Sequence, residues 1–342
     1  MADRSALVTG ATGFIGSQLV PALVAQGWTV TATGRRPRPE TLPPETAYQG
    51  ADLAGEDDLE SLLEGVTHVF HLAGASSSLA DEAEMHRANV VATERLVTAA
   101  LKSSRLKRLV YMSSTSVYGE TVALPSPVLE TVEPQPSRAY GKAKWATEQV
   151  VWSAGSEGLP VVVLRPVSVF GPRNVKLLAS AVLDVALERF ANPSEPVPVP
   201  AEPIEQRLVH IDDLLRATIH LAVHPQGAGG AYNVVFPSYP SNHQVAAAIA
   251  RQLGVEVVLT DDPSAGLAYP ARVAARERML AGGMRPDILL TKERFRFMRK
   301  ANINNRLSVD ALLSTGFEFS QADLDTAIGA TVGWYREARW IL

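Results

Sequence analysis

The sequence predicts an α/β protein: a doubly wound parallel sheet in its larger N-terminal part, then a smaller, mainly helical C-terminal part. Three observations carry that prediction. A short β-prone run, Ala6–Thr9, leads at once into a glycine turn and then into helical spacing. Further apolar runs at 66–74, 108–113 and 161–166 alternate with helix-compatible stretches, the order that builds strand–helix–strand crossovers. From Pro237 onward helical patterns dominate.

Composition bounds the function. A chain of 342 residues, 46% hydrophobic, can bury a sizeable core in one large domain or two. Its net charge of −4 gives no global sign of a nucleic-acid partner, and the absence of cysteine removes disulfides, thiolate nucleophiles and cysteine-ligated zinc. No metal site is expected. Ser5 to Gly34 carries no charged residue, but Gln18, Pro21, Gln26, Gly27 and several threonines interrupt it, so strand, helix, strand is the better reading than a membrane span. Met-Ala-Asp-Arg enters a strand pattern too soon for a signal peptide, and the expectation is a cytoplasmic protein with no membrane partner.

In chain order, Gly10-Ala-Thr-Gly13-Phe14-Ile15-Gly16 follows the first strand, and apolar positions 19, 20, 23 and 24 carry a helix that Gly27 ends. Glycines let backbone approach a pyrophosphate, and the helix N-terminus offers N–H groups and partial positive charge, so this turn is read as a dinucleotide site. The second strand, Trp28–Thr33, ends in Gly34-Arg35-Arg36. An NAD-selective site usually places a carboxylate there for the ribose 2′-hydroxyl; two guanidiniums instead suit a 2′-phosphate. NADP(H) is therefore favoured over NAD(H), the alternative being a basic turn in a solvated loop. Asp52-Leu53, after a third strand near Tyr48, would contact adenine or cap a helix.

The run 66–71 passes into Leu72-Ala73-Gly74, small residues where backbone can lie against a ligand, and a helix from Asp81 to Leu101 carries Asn89. Strand 108–113 then leads into Ser114-Thr-Ser-Val-Tyr118-Gly119 at the edge where open parallel sheets bind ligands. In Tyr140-Gly-Lys-Ala-Lys144, a helix capped by Ser137 projects tyrosine and lysine from one face, and an ammonium beside a phenol lowers its pKa and suits it to general acid–base work. Strand 161–166 follows. Residues 192–203 read as a proline-rich loop, 206–213 as the opening of a helix to His224, and 231–236 as a return to the main sheet. The segment 272–306 holds ten Lys/Arg, read first as solvated helix faces and otherwise as a surface steering an anionic substrate or carrier.

Taken together, Thr9–Gly16, His71–Gly74, Ser113–Gly119, Tyr140–Lys144 and Arg165–Pro172 resemble, in this order, the extended short-chain dehydrogenase/reductases, also called the NAD-dependent epimerase/dehydratase family. His210-Ile-Asp-Asp213 and Ala330–Tyr335 extend the resemblance over nearly the whole chain. It implies a Rossmann-type NAD(P)-binding domain over 1–166, with 206–236 returning to it, and a substrate-binding part over 167–205 and 237–342. It also implies Ser114, Tyr140 and Lys144 as catalytic group, with Ser113 or Ser116 as the fallback serine. The implied cofactor contacts are Gly10, Gly13, Phe14, Ile15, Gly16, Arg35, Arg36, Asp52, Leu53, Leu72, Ala73, Gly74, Tyr140, Lys144, Pro166 and Val167; those to a small-molecule substrate are Ser76, Ser114, Ser168 and Arg207.

Two positions depart from the family members that act on nucleotide sugars. Ser168 stands where these commonly have Asn, and Gln206 where they have Arg, with Arg207 displaced by one. Thr115 and Ser116 replace the Asp-Glu pair of the sugar dehydratases, which argues against dehydration. The expectation is an NADP(H)-dependent oxidoreductase acting on a carbonyl or alcohol. A nucleotide-sugar 4-epimerase retaining NAD is the alternative, and a dinucleotide-binding sensor without turnover is a third class. A homodimer is expected through 81–101 and 138–154, with Trp145, Val150, Val151 and Trp152 as the apolar surface.

Overall fold

A computed structural model describes residues 4–75, 81–119, 124–262, 264–299, 305–320 and 323–342, in two compact units. The first unit comprises 1–167, 214–234 and 307–318. In chain order it holds β1 (Ser5–Thr9), α1 (Gly16–Ala25), β2 (Thr29–Gly34), β3 (Ala47–Gly50), α2 (Leu59–Leu62), β4 (His68–His71), α3 (Glu82–His86), α4 (Ala92–Leu101), β5 (Arg108–Met112), α5 (Ala139–Ser156) and β6 (Val161–Pro166). Seven parallel strands, completed by Ala231–Val234 of the return segment, lie in the order return strand, β6, β5, β4, β1, β2, β3. This is a Rossmann-type sheet. Strands β4, β5 and β6 are buried at every position, as sheets covered on both faces require, while β3 at the edge is mostly exposed. The core unites Leu7, Val69, Leu109 and Val163 of the sheet with Leu96, Val97 and Val151 of α4 and α5. Strand order reverses between β1 and β4, so the loops leaving their C-terminal ends flank the crevice where such sheets bind ligands.

The second unit comprises 168–213, 235–306 and 319–342 and is mainly helical. It contains β7 (Ser168–Phe170), α6 (Leu178–Ala191), β8 (Val197–Pro200), β9 (Leu208–His210), α8 (Asn242–Leu253), β10 (Val257–Thr260), α9 (Tyr269–Ala281), the single turn α10 (Arg296–Arg299) and α12 (Leu324–Glu337); α7 (Ile211–Val223) leads out of it, and another single turn, α11 (Asp310–Leu313), belongs to the first unit. Its own core is built from α6, α8, α9 and α12 around Leu183, Leu187, Ile249, Met279, Ile328 and Tyr335.

Several local expectations are corrected. Residues 197–200, expected in a loop, form β8 paired with β10, and 208–210, expected in a helix, form β9 paired with β7. The expected helix 81–101 is divided by a π-helical turn, Arg87–Val91. Ser137 does not cap α5; Arg138 occupies that place in extended conformation, without a side-chain capping bond. Among the described residues, no helix is long and apolar enough to cross a membrane.

Candidate active site

A cavity of about 230 Å³ opens at the C-terminal edge of the sheet. Of the residues expected to hold a dinucleotide, Gly10, Gly13, Arg35, Arg36, Asp52, Leu53, Leu72, Ala73 and Gly74 line it, joined by Thr12, Thr33, Gly34 and Arg87. Phe14 and Ile15 continue the turn into α1, where the Phe14 carbonyl accepts bonds from the Ser17 hydroxyl and the Gln18 amide. Two glycines are required by packing alone. Gly10 has φ +66°, and a Cβ there would stand 2.7 Å from Ala73 N; a Cβ on Gly16 would stand 2.3 Å from the Gly10 carbonyl oxygen. The resulting cradle brings bare backbone to the cavity wall.

The wall opposite the glycine loop is fixed by a buried relay. The Thr9 hydroxyl accepts the Leu72 and Ala73 N–H groups, at 3.2 Å each, and therefore donates to His71 Nδ1 at 2.8 Å. Thr93 donates to the Asn89 carbonyl at 2.5 Å and accepts from His71 Nε2 at 2.8 Å, which assigns the Nε2–H tautomer. Burial pushes the His71 pKa down to about 3, so the ring stays neutral and the relay unchanged across the working pH range. The π-helical turn aims Asn89 at the same place: its amide nitrogen donates to Ala75 and Met85 carbonyls, while buried Oδ1, facing Gly74, has no partner among the described residues. An open backbone cradle, an orphaned buried acceptor and two exposed arginines are the chemistry a pyridine dinucleotide needs, and these residues fit one.

At the end of the cavity beside β2, the Tyr48 hydroxyl reaches the carbonyls of Gly34, at 3.1 Å, and Arg36, pinning the turn that carries the arginines. Asp52 caps no helix; Asp58 caps α2 instead. The Asp52 carboxylate pairs with Arg87 at 2.7 Å, and that bond, with Arg35 adding a smaller effect, holds its pKa below the ordinary carboxylate value.

Ser114, Tyr140 and Lys144 gather beyond Gly74. Strand β5 ends beside α5, so Ser114 stands half-buried at the strand end, close enough to the Tyr140 phenol to lower its pKa. Ser113, a fallback for the catalytic serine, is turned the other way and donates to Glu148 of α5; Ser116 is held to Ser114 by bonds of 3.1 and 3.2 Å. Lys144 is buried, its Nζ 2.8 Å from the Met112 carbonyl, 5.0 Å from the centre of the Tyr111 ring and 3.7 Å from where a Gly74 Cβ would lie. The electrostatics differ from the expectation of a lysine-lowered phenol. Burial raises the Tyr140 pKa and the Ser114 hydroxyl brings it only part of the way back, because Lys144 directs its charge at Met112 and Tyr111. Burial also brings the Lys144 pKa down to about 8, with Glu148 opposing the shift.

The expected residues do not all converge. Tyr140, Lys144, Pro166 and Val167 are not among the residues lining the cavity. Pro166 and Val167 end β6, where Val167 N–H bonds the Val234 carbonyl at 3.2 Å. Ser168 and Arg207 belong to the second unit, where Ser168 lies opposite Leu208 in the β7–β9 register and the Arg207 guanidinium donates to the Asn305 carbonyl. Ser76 lies outside the described residues. Arg87, Glu148 and Arg165 were not anticipated; the four-residue step from Lys144 to Glu148 was the available signal for one of them.

A family model described as "NAD dependent epimerase/dehydratase family" matches residues 6–234. The chain belongs to the NAD-dependent epimerase/dehydratase family. Members similar to it are oxidoreductases and epimerases. A 4-hydroxy-2-methyl-3-oxo-4-farnesyl-3,4-dihydroquinoline-1-oxide ketoreductase of Stigmatella aurantiaca is 33% identical over 54% of this chain and 55% of that protein, so the match spans little more than half of that relative. The dTDP-6-deoxy-L-talose 4-dehydrogenase (NAD(P)(+)) of Kitasatospora kifunensis is 30% identical over 75% of this chain and 81% of its own. Among solved structures, UDP-glucuronic acid 4-epimerase of Bacillus cereus in complex with NAD has the same fold, with a TM-score of 0.73 at 20% identity over 97% of this chain and 99% of that one.

Proposed function

We propose that the protein is an NADP(H)-dependent oxidoreductase that reduces a ketone or aldehyde on a small molecule, or oxidises the matching alcohol. The Ser114 hydroxyl beside the Tyr140 phenol, with Lys144 one helical turn on, is the observation that carries this reading. A bound nicotinamide supplies or accepts the hydride. The chain's own residues do the rest: Ser114 orients the substrate oxygen, Tyr140 gives that oxygen its proton or removes it, and buried Lys144, beside Gly74, would hold the nicotinamide ribose. A phenol held above its ordinary value is protonated at neutral pH, which suits Tyr140 to the acid role of the reductive direction. The test is oxidation of NADPH against a panel of ketones and aldehydes; no turnover across the panel overturns the reading.

The turn Gly34–Arg36 supports NADP(H) over NAD(H). Asp52, the carboxylate in the same cavity, is already paired with Arg87 and so repels a 2′-phosphate less. Calorimetric titration is expected to show NADPH binding more tightly than NADH, and Arg35→Ala is expected to cost on the order of 1.5–3 kcal/mol of NADPH affinity through a lost charge-assisted bond. Equal affinities for the two cofactors would sink the preference.

A 4-epimerase reading rests on the same three residues and on relatives such as UDP-glucose 4-epimerase of Vibrio cholerae, 27% identical over 78% of this chain and 79% of that protein. Gln206 weighs against it. The side chain is fully buried and its amide donates to the Ile204 carbonyl at 3.0 Å, where sugar-nucleotide members present an arginine. Tightly retained NAD, with turnover needing no added cofactor, would favour the epimerase.

A homodimer through 81–101 and 138–154 belongs to the same reading, with one change. Val151 is fully buried in the subunit core and cannot contribute, while Trp145, Val150 and Trp152 are half-buried. Trp145 and Trp152 are seven residues apart and share a helix face, so a symmetric partner would cover both. Light scattering is expected to give twice the chain mass of 36.7 kDa, and Trp145→Glu to return it to the monomer. A wild-type protein that scatters as a monomer at micromolar concentration refutes this.

A further inference from the structure

Glu148 sits one turn beyond Lys144 on α5, fully buried, and the reaction proposed above gives it no task. Its carboxylate accepts the Ser113 hydroxyl and two bonds from Arg165, at 3.1 and 2.6 Å. Arg165, at the end of β6, also donates to the Tyr118 hydroxyl at 2.9 Å and to the Glu130 carbonyl at 3.0 Å. Tyr118 in turn donates to Asn233 of the return strand at 2.8 Å. One buried carboxylate thus ties the helix bearing Tyr140 and Lys144 to the strand end bearing Ser114 and to the two strands beyond it.

We infer that Glu148 is a positioning residue for the proposed reaction: its bonds to Ser113 and Arg165 lock the register of α5, and so of Tyr140 and Lys144, against β5. The proposal rests on the oxidoreductase reading. A buried ion pair is weak support for stability, since apolar residues of similar volume often serve as well, and register or switching is its best-attested use. Here the register decides whether Ser114 meets Tyr140, because a slip of one residue turns a helix by about 100°. Among the described residues, the titratable groups facing Lys144 are Tyr140 and Glu148 on its own helix, Tyr111 from β5 and His71 from β4. With His71 neutral and both phenols protonated, Glu148 is the anion among them. Burial drives Lys144 toward the amine and the Glu148 charge opposes it.

Two variants test this, Glu148→Gln and the neutral pair Glu148→Leu with Arg165→Met, the second removing the unpaired arginine that could unfold the first. Three quantities are read in each: kcat apart from KM, the pH profile of kcat/KM, and the titration of the Lys144 ε-carbon signal by NMR, assigned as the signal missing from Lys144→Arg. Both variants are expected to lose about tenfold or more in kcat with KM little changed. Both are also expected to move the alkaline limb and the Lys144 titration to lower pH, by about half a unit or more. A folded neutral pair with wild-type kcat and an unmoved Lys144 titration would reduce Glu148 to a structural ion pair and overturn the proposal. The titration needs no turnover, so an absence of carbonyl reduction would sink the oxidoreductase reading while the Lys144 signal still decides the charge effect.

Discussion

Tyr140→Phe is expected to lower turnover by roughly 100- to 10,000-fold while leaving cofactor affinity nearly unchanged. The substitution removes one oxygen and keeps the ring, so the half-buried site loses no packing. Ser114 retains its bonds with Ser116, at 3.1 and 3.2 Å, and Lys144 its bond to Met112, at 2.8 Å, so the neighbours have no reason to move. The glycine cradle and the arginine turn do not touch Tyr140, and for that reason NADPH titration should read as wild type. On the proposed reading, what is lost is the proton donor. Water or Ser114 would have to protonate the substrate oxygen, and neither is an acid aimed by an 18-residue helix. Steady-state oxidation of NADPH with the best carbonyl substrate of the panel, beside a binding isotherm, checks both halves. A mutant that keeps most of its turnover would show that the proton travels by another route.

How much of this was legible in the sequence depends on the range over which each feature is determined. The glycine turn and the buried strands are written in spacings of a few residues, and the structure places the glycine turn at the C-terminal ends of the strands that their order implied. Strand β8 was read as a loop because Val197-Pro-Val-Pro200 looks like a breaker. It is tolerated because Val197 and Ala201 donate to β10 while Pro198 and Pro200 occupy the alternate positions, whose missing N–H groups face away. Strand β9 is three residues long, too short to show alternation before α7 begins. The relay from Thr9 through His71 to Thr93 and the links from Glu148 to Arg165 join residues 62, 22 and 17 positions apart, and no local pattern announces them. Arg87 reaches Asp52 from a π-helical turn that helix propensity alone cannot foresee.

The basic segment 272–306 shows the same limit, and it yields the largest stability effect expected in this chain. Several of its arginines are internal struts where solvated helix faces were expected. Arg272 is fully buried and meets Asp184 of α6 at 2.6 Å, while also donating to the carbonyls of Thr291 and Lys292. Asp184 receives Phe295 N–H at 2.7 Å. One turn on, Glu188 accepts Leu267 N–H and pairs with Arg294, both at 2.7 Å. Two carboxylates four residues apart on a mostly apolar helix thus fasten 265–267, α9 and 291–295 to the second core. Asp184→Ala leaves Arg272 charged, buried and unpaired, so a loss of about 3–5 kcal/mol is expected. Asp184→Leu with Arg272→Met should recover most of it, since that change removes both charges and keeps the volume. Urea unfolding followed through the packed Trp334 and Trp340 rings reports on this unit. The pH dependence has a definite sign. Burial, only partly opposed by Phe295 N–H and Arg272, raises the Asp184 pKa above 3.8, so the folded state takes up this proton before the unfolded chain does. The wild-type advantage over Asp184→Ala should therefore grow as pH falls from neutrality toward 3.8. A single mutant within 1 kcal/mol of wild type would mean that Asp184 is not the anchor of this segment, and an advantage that shrinks with acid would mean that the Arg272 pair outweighs burial in setting its pKa.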